Sequence, residues 1–414
     1  MLILFILKKK ILKILGKKKI NQRLFNYPLH EDALSKEDLA EGFKVLASRQ
    51  LTMSEKTFEF ETYFKKKLNL KYCLMVNSGS SANLLAFFAL INPLKKNKLN
   101  YGDECLVPAI CWSTSLWPII QAGLKPKLID VNINSFSLDL DIIKKNISKK
   151  TKAIVIINVL GNTSDIDKIR NFAKKKNIYL IEDNCESLGS KYKNQYLGTF
   201  GDFSSFSFYY SHQITSGEGG MIACKTKADY LLLKTLRAHG WDRDLQKKKV
   251  NKNFNFINSG FNLRPLEISA AIGLSQFKRL SKMMAVRLYN RNKIVKFLNN
   301  SNDWNEQFSF FNPYKHLKPS WFGFPLLLNK KFENKKDKFL KFLNRNKIET
   351  RPIISGNFVN QPAISLYNIS YNLKKLNNSN IIEKRGFFIG LPTIKLTNKK
   401  VQKLAKLLLN ISKI

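Results

Sequence analysis

From residue 70 onward the chain alternates short apolar runs of strand type with amphipathic runs of helical type. "KYCLMV" leads through "NSGSSAN" into the apolar "LLAFFALI"; "ECLVPAI", "KPKLIDV", "KAIVIINVL" and "IYLIED" follow, with helical stretches such as "DIDKIRNFAKKKN" between several of them. Such alternation predicts a mostly parallel sheet covered by helices on both faces, hence an α/β fold. "FSSFSFYY" and "GGMIACK" add two strands, "KADYLLLKTLRAHGW" reads as a helix, and the stretch opening "RPLEISAAIG" reads as one long helix leaving the large unit. From about residue 300 the pattern restarts: strand "FGFPLLL", helix "KKDKFLKFLNRNK", strand "ETRPII" and a terminal helix. A chain of 414 residues is long enough for two cores. The divisions expected are a basic extension at 1–30, a large domain at 31–285 and a small C-terminal α/β domain at 286–414.

Charge and cysteine content narrow the function classes. The formal net charge is +41, carried by lysines scattered in short runs. Nucleic-acid binding would need clustered cations with a recognisable module, and no zinc spacing, RNP-like strand or basic heptad accompanies the charge. A solvated lysine-rich surface is the simpler reading, with an attraction to anionic substrates or lipid as a weaker one. Cys73, Cys105, Cys111, Cys185 and Cys224 include no CxxC or CxC pair. That pattern fits a reducing cytoplasm and speaks against a disulfide frame, a structural metal or an iron–sulfur cluster. The opening "MLILFILKKKILKILGKKKI" has an apolar run of about seven residues, short of the roughly 18 that span a bilayer. Its charge follows the apolar run, the reverse of a signal peptide. A basic amphipathic helix on a membrane surface, a helix against a partner subunit and a frayed extension all remain open for it.

Three strand ends carry chemistry. "NSGSSAN" joins a strand to a helix through small residues, which lets helix-terminal amides approach an anion, although a plain tight turn would look the same. "LIEDNCES" puts Glu182, Asp183 and Glu186 at the carboxyl end of a buried strand, where parallel sheets bind ligands. These acids could be metal ligands, helix caps or partners of a cationic ring nitrogen. Trp112 follows another strand and could stack on a planar ligand or sit in the core. A phosphate cradle, a stacking aromatic, a strand-end acid and a Ser-rich strand together suggest a flat phosphorylated cofactor, and pyridoxal 5′-phosphate fits.

The ordered set SGSSAN, Trp112, EDNCES, FSFYYSH, GEGG, RAHGW and NLRP resembles the DegT/DnrJ/EryC1/StrS family of sugar aminotransferases, from about residue 25 to the C-terminus. The resemblance implies a fold type I pyridoxal phosphate enzyme. In most members the strand after "SFY" supplies a lysine that holds the cofactor covalently; here that position is His212. The replacement resembles the branch that dehydrates NDP-4-keto-6-deoxyhexoses at C3. "RAHGWDRDL", "FNLRPLEISAAIG", "SWFGF" and "TRPIISGNF" resemble most the members acting on GDP-4-keto-6-deoxy-D-mannose in dideoxysugar and surface polysaccharide synthesis. A sister branch with the same histidine carries a [2Fe–2S] cluster on a CxC pattern that this chain lacks, which points to the cluster-free, L-glutamate-dependent branch.

A histidine cannot tether the cofactor, so the cofactor can work as free pyridoxamine 5′-phosphate. A base near neutral pKa is then wanted to move a proton, and imidazole is suited to it. By resemblance, Gly79 and Ser80 offer amides and Ser207 its hydroxyl to the phosphate. Trp112 stacks on the ring, Asp183 pairs with the ring nitrogen, and Glu186 lies near the ring hydroxyl. Asn262 and Arg264 reach the phosphate across the interface of a homodimer with shared sites, and Arg351 faces the nucleotide or the glutamate carboxylate. His239 reads as a hydrogen-bonded structural histidine, and His30 and His316 as surface residues. The competing readings are a relative that binds the cofactor with another activity, and a basic RNA- or membrane-surface-binding protein reusing the fold.

Overall fold

The computed structural model describes residues 25–30, 34–243, 245 and 254–414. The helix expected over the basic extension, with its proposed membrane or partner contact, lies outside the described residues up to residue 24. In chain order the large unit contains α1 (Lys36–Ser48), α2 (Glu55–Leu68), β1 (Tyr72–Val76), α3 (Gly79–Leu90), β2 (Glu104–Pro108), α4 (Ser113–Gln121), β3 (Lys125–Ile129) and α5 (Leu140–Asn146). It continues through β4 (Thr151–Ile157), α6 (Ile166–Lys175), β5 (Tyr179–Asp183), β6 (Lys191–Tyr192), β7 (Gln195–Tyr196), β8 (Phe203–Ser207), β9 (Gly220–Cys224) and α7 (Lys227–Arg237). After α8 (Glu267–Asn299) come β10 (Phe308–Phe310), β11 (Leu317–Lys318), β12 (Gly323–Leu328), α9 (Lys336–Arg345), β13 (Thr350–Arg351), α10 (Asn377–Arg385), β14 (Gly386–Gly390) and α11 (Asn398–Leu409).

The seven-stranded sheet has the order β1-β9-β8-β5-β4-β2-β3. Every neighbouring pair from β8 to β3 is parallel, while β9 runs antiparallel to both β8 and β1. Six strands therefore point one way and deliver their carboxyl ends, with the loops that follow, to a single edge. That edge is where an open α/β sheet binds ligands. β10, β12, β14 and β13 form a separate antiparallel sheet, and β11 joins the β6–β7 hairpin in a third.

Several elements escaped the sequence pattern. α1 and α2 precede the regular alternation, and β14 ("GFFIG") is a buried run too short to signal itself. "FSSFSFYY" ends as a strand at Ser207; Tyr209 and Tyr210 belong to the turn. α8 is one helix of 33 residues, about 50 Å at 1.5 Å per residue, and the division expected at 285/286 falls within it. No helix among the described residues is long and apolar enough to cross a membrane.

One aromatic cluster anchors the functional edge. Phe206 and Phe208 pack with Phe60 and Phe64 of α2 and Phe277 of α8, all essentially inaccessible to solvent. The Phe64 and Phe277 rings stack at 4.8 Å. Each such ring stabilises the native state by about 1.5–3 kcal/mol when buried. Because side chains alternate along a strand, Phe206 in the core commits Ser207 to the opposite face.

Candidate active site

The turn from β1 into α3 forms a cradle. Ser78 is the N-cap, and its hydroxyl accepts from Ser81 N at 3.1 Å. The amides of Gly79 and Ser80, the first two of α3, find no acceptor among the described residues. They stand at the positive end of the helix dipole, the arrangement that binds phosphate. Gly79 is required by close approach: a Cβ there would lie 2.6 Å from Ser207 Cβ and 2.9 Å from Cys185 Sγ. On the other side a Cβ at Gly220 would meet Gly79 N at 2.6 Å. Ser207 is buried, and its Oγ accepts from Tyr209 N at 3.3 Å. Ser80 is exposed and donates its hydroxyl to Thr114 at 3.2 Å. Burial, reinforced by the nearby Asp183 charge, pushes the Cys185 thiol up, so it brings no charge to the cradle.

The acids of "EDNCES" divide by strand periodicity. Asp183 Oδ2 accepts from Asn83 Nδ2 of α3 at 2.9 Å and from Ser115 Oγ of α4 at 2.8 Å, while Oδ1 accepts from Cys185 N at 3.1 Å. This carboxylate is held from three sides at the sheet edge. Glu182 faces away. Its carboxylate accepts from the amides of Gly198, Phe200 and Gly201, the last two at 2.9 Å, which makes it a buried structural group. Glu186 accepts from Leu160 N at 2.9 Å. Desolvation, reinforced by Asp183, pushes it up to about 7. No group of three or more His, Cys, Asp or Glu side chains gathers as a metal site among the described residues.

Trp112 caps the start of α4, one turn before Ser115, and is 56% exposed. A core position for it is thereby overturned: the ring stands in solvent at the sheet edge. His212 lies in the turn after β8, its ring tilted against Phe322 with centroids 5.1 Å apart. Its Nδ1 is buried without a partner. Burial lowers its pKa to about 4, against the upward pull of Asp183, so the imidazole is neutral near pH 7.

Asn262, Arg264 and His239 form a separate, exposed group. Arg264 Nε donates to Asn262 Oδ1 at 3.2 Å, and its Nη2 lies 3.4 Å from His239 Nε2. The segment is tied to the cradle by Asn77 N donating to Leu263 O at 3.1 Å. No printed bond takes these side chains to Gly79, Ser207 or Asp183 of the same protomer among the described residues. His239 is exposed, with a left-handed φ of 63°, rather than packed inside. Arg351 sits on β13 and pairs with Glu349 at 3.2 Å, away from the Asp183 group.

Sequence reasoning missed Asn83, Ser115, Phe322 and His30. Asn83 lies four residues into α3 and Ser115 three residues past Trp112; their spacing from the motifs is the only signal they carry. His30 is not a surface residue: its Nε2 is buried, and its ring meets Tyr210 edge-on at 5.4 Å. Two cavities of about 650 and about 830 Å³ lie elsewhere, and neither is lined by the residues of the cradle.

A seven-stranded sheet with a phosphate-type cradle, a strand-end aspartate and a second small sheet defines a fold type I, pyridoxal-phosphate-dependent transferase architecture. The chain belongs to the DegT/DnrJ/EryC1/StrS aminotransferase family, which matches residues 32–408. It is 36% identical over 389 residues to GDP-4-keto-6-deoxy-D-mannose 3-dehydratase of Escherichia coli O55:H7, covering 90% of this chain and 97% of that one. The solved structure of an E. coli GDP-4-keto-6-deoxy-D-mannose-3-dehydratase with bound hydrated pyridoxal phosphate superposes with a TM-score of 0.86 at 35% identity, covering 93% and 99% of the two chains. Another structure of such a dehydratase, with a trapped pyridoxal phosphate–glutamate geminal diamine, gives 0.85 at 34% identity, covering 92% and 100%.

Proposed function

We propose that this protein is a 3-dehydratase of a nucleotide-linked 4-keto-6-deoxyhexose, GDP-4-keto-6-deoxy-D-mannose, with L-glutamate as amino donor and pyridoxal/pyridoxamine phosphate as cofactor. The observation that carries the reading is His212, a neutral imidazole where a tethering lysine would stand, set between an Asp183 group and a helix-terminal cradle.

The donor set fits the cofactor. The free Gly79 and Ser80 amides and the Ser207 hydroxyl match a phosphate, the fixed Asp183 carboxylate matches a protonated ring nitrogen, and the exposed Trp112 face matches a planar ring. When bound, the cofactor supplies an electron sink through its protonated ring. Asp183, gripped by Asn83 and Ser115, keeps its charge oriented without reorganisation. His212 takes up a proton because burial leaves it unprotonated, and the same ring then holds that proton for the departing C3 hydroxyl. Glu186, with a pKa of about 7, is poised between its two protonation states beside Asp183. Phe322 covers His212 on one face and limits access of water.

The working form we infer is a homodimer with shared sites. Asn262 and Arg264 are exposed, and near them Phe254 and Phe256 are 71% and 59% exposed, apolar surface that a second copy would cover. The division into a large unit at 31–285 and a small unit at 286–414 belongs to the same reading. We place the reaction in the cytoplasm, with which five free thiols agree. Arg351 is assigned to the ligand side at the small sheet.

The test is direct. The protein is incubated with pyridoxal phosphate, L-glutamate and GDP-4-keto-6-deoxy-D-mannose, with CDP- and dTDP-linked sugars alongside. A product that has lost its C3 oxygen, with release of ammonia and 2-oxoglutarate, is expected. A product that keeps the oxygen and gains an amino group at C4 would refute the reading.

A further inference from the structure

A second imidazole reaches the site from the chain's N-terminal side. Tyr27 bridges Ile348 and donates its hydroxyl to Gly390 O at 3.0 Å; Leu29 N donates to Glu349 Oε2 at 3.0 Å. The Pro28 and Leu29 carbonyls pack so closely on Gly390 that a Cβ there would meet them at 2.5 and 2.4 Å. These contacts fix the segment on the small sheet and set His30 against Tyr210, two residues from His212.

The surroundings of His30 are short of negative charge. Its Nε2 is buried without a partner, and so is His212 Nδ1. Arg287 of α8, 1% exposed, donates to Gln213 O and Leu391 O at 3.2 Å each and makes no ion pair among the described residues. Its field acts on both histidines: burial first, and then this charge, lowers His30 to about 4, and Arg287 is among the lesser causes that lower His212. Two neutral imidazoles with free nitrogens beside a buried guanidinium form a place where an entering anion gains charge-assisted hydrogen bonds. A hexose is neutral, and the diphosphate of a sugar nucleotide is held off from the reacting carbons by the sugar ring. The amino donor is the reactant that brings a carboxylate to the base itself.

We propose that His30, backed by Arg287, receives the side-chain carboxylate of the amino donor and so selects L-glutamate over neutral amino acids. The inference rests on the function proposed above. It makes His30 a substrate-binding residue of the glutamate step, contributed by a segment that packs on the small sheet.

The experiment uses holoenzyme carrying pyridoxal phosphate, mixed with L-glutamate or with its neutral isostere L-glutamine. Conversion of the cofactor from its aldehyde to its amine form is followed by absorbance. In His30→Ala the half-saturating glutamate concentration should rise roughly ten- to a hundredfold, the worth of one charge-assisted hydrogen bond. Glutamine should change little, so the preference between them narrows. His30→Gln, which keeps a hydrogen-bonding group without a charge, should fall between. The cofactor spectrum of each variant verifies the folded site. Unchanged glutamate saturation and preference in both variants overturns the inference. So does a single-turnover sugar step, started from the amine form, that loses as much as the glutamate step, because His30 would then serve the hexose. A wild-type protein that converts its cofactor with no amino acid at all would instead refute the proposed reaction, and this inference with it.

Discussion

Replacing Gly79 by alanine tests the cradle most sharply. The added Cβ would stand 2.6 Å from Ser207 Cβ, 2.9 Å from Cys185 Sγ and 3.1 Å from Ser207 Oγ. Ordinary carbon–carbon contacts begin near 3.5 Å, so the turn would have to withdraw by about 1 Å. It has nowhere to go, because the backbone from Ser78 to Gly79 already lies within 2.4–2.6 Å of where a Cβ on Gly220 would be. Overpacking of this kind costs about 1–3 kcal/mol of stability. A shift of the Gly79 and Ser80 amides also weakens hydrogen bonds to a phosphate, each worth about 1.5–3 kcal/mol. The dissociation constant for pyridoxamine phosphate should therefore rise by roughly one to two orders of magnitude. Equilibrium titration by cofactor absorbance reads the affinity, and a thermal melt of the cofactor-free protein reads the packing. Ser80→Ala is the comparison: its side chain is exposed and its amide stays, so affinity should hold within about threefold, the scale of an ordinary surface substitution. If Gly79→Ala binds the cofactor as wild type does and melts at the same temperature, the phosphate does not sit on this helix terminus.

Three further outcomes are expected. His212→Asn should keep cofactor binding and lose sugar dehydration by roughly 10²–10⁴, and His212→Lys should gain a covalent cofactor adduct fixed by borohydride; wild-type dehydration by the Asn variant would return His212 to a turn residue. Folded, inactive His212→Asn and Arg264→Ala variants should recover part of the activity when their subunits exchange, since one hybrid site would be intact; a mixture that exchanges yet stays inactive would exclude a site shared through Arg264. Acid stability should fall in a defined window. His30 and His212 each drop from 6.5 to about 4 on folding, so the unfolded chain binds more protons between those values. Their contribution is intact above pH 6.5 and is lost as pH falls through 4, about 3 kcal/mol for each group. Glu186 has the opposite sign, being raised from 4.5 to about 7, so its contribution is present below pH 4.5 and is lost as pH rises through 7. Denaturant melts from pH 8 to 4 should show a shallower acid limb in His30→Gln, and an identical limb would contradict the burial of that ring.

The sequence by itself determined the elements whose signal is local. β1 to β5, β8, β9 and the helices between them follow from apolar period and length. Small residues in "NSGSSAN" and an acid ending "YLIED" mark strand ends, and His212 can be read as the departure from a lysine. Periodicity separates Glu182 from Asp183 once the strand is known, but it does not say which face holds the ligand; the helices carrying Asn83 and Ser115 decided that. Tertiary structure alone placed Trp112 in solvent and grouped His239 with Arg264 on the surface. It alone brought His30 to Tyr210 across a segment docked on Gly390. The same holds for protonation. A histidine in a lysine-rich chain looks unexceptional in sequence, and only the packing of Phe322, Tyr210 and Arg287 around it removes the water that would keep it charged. Period and composition report what a residue prefers; desolvation and charge depend on neighbours hundreds of positions away, and those are set only when the sheets close on each other.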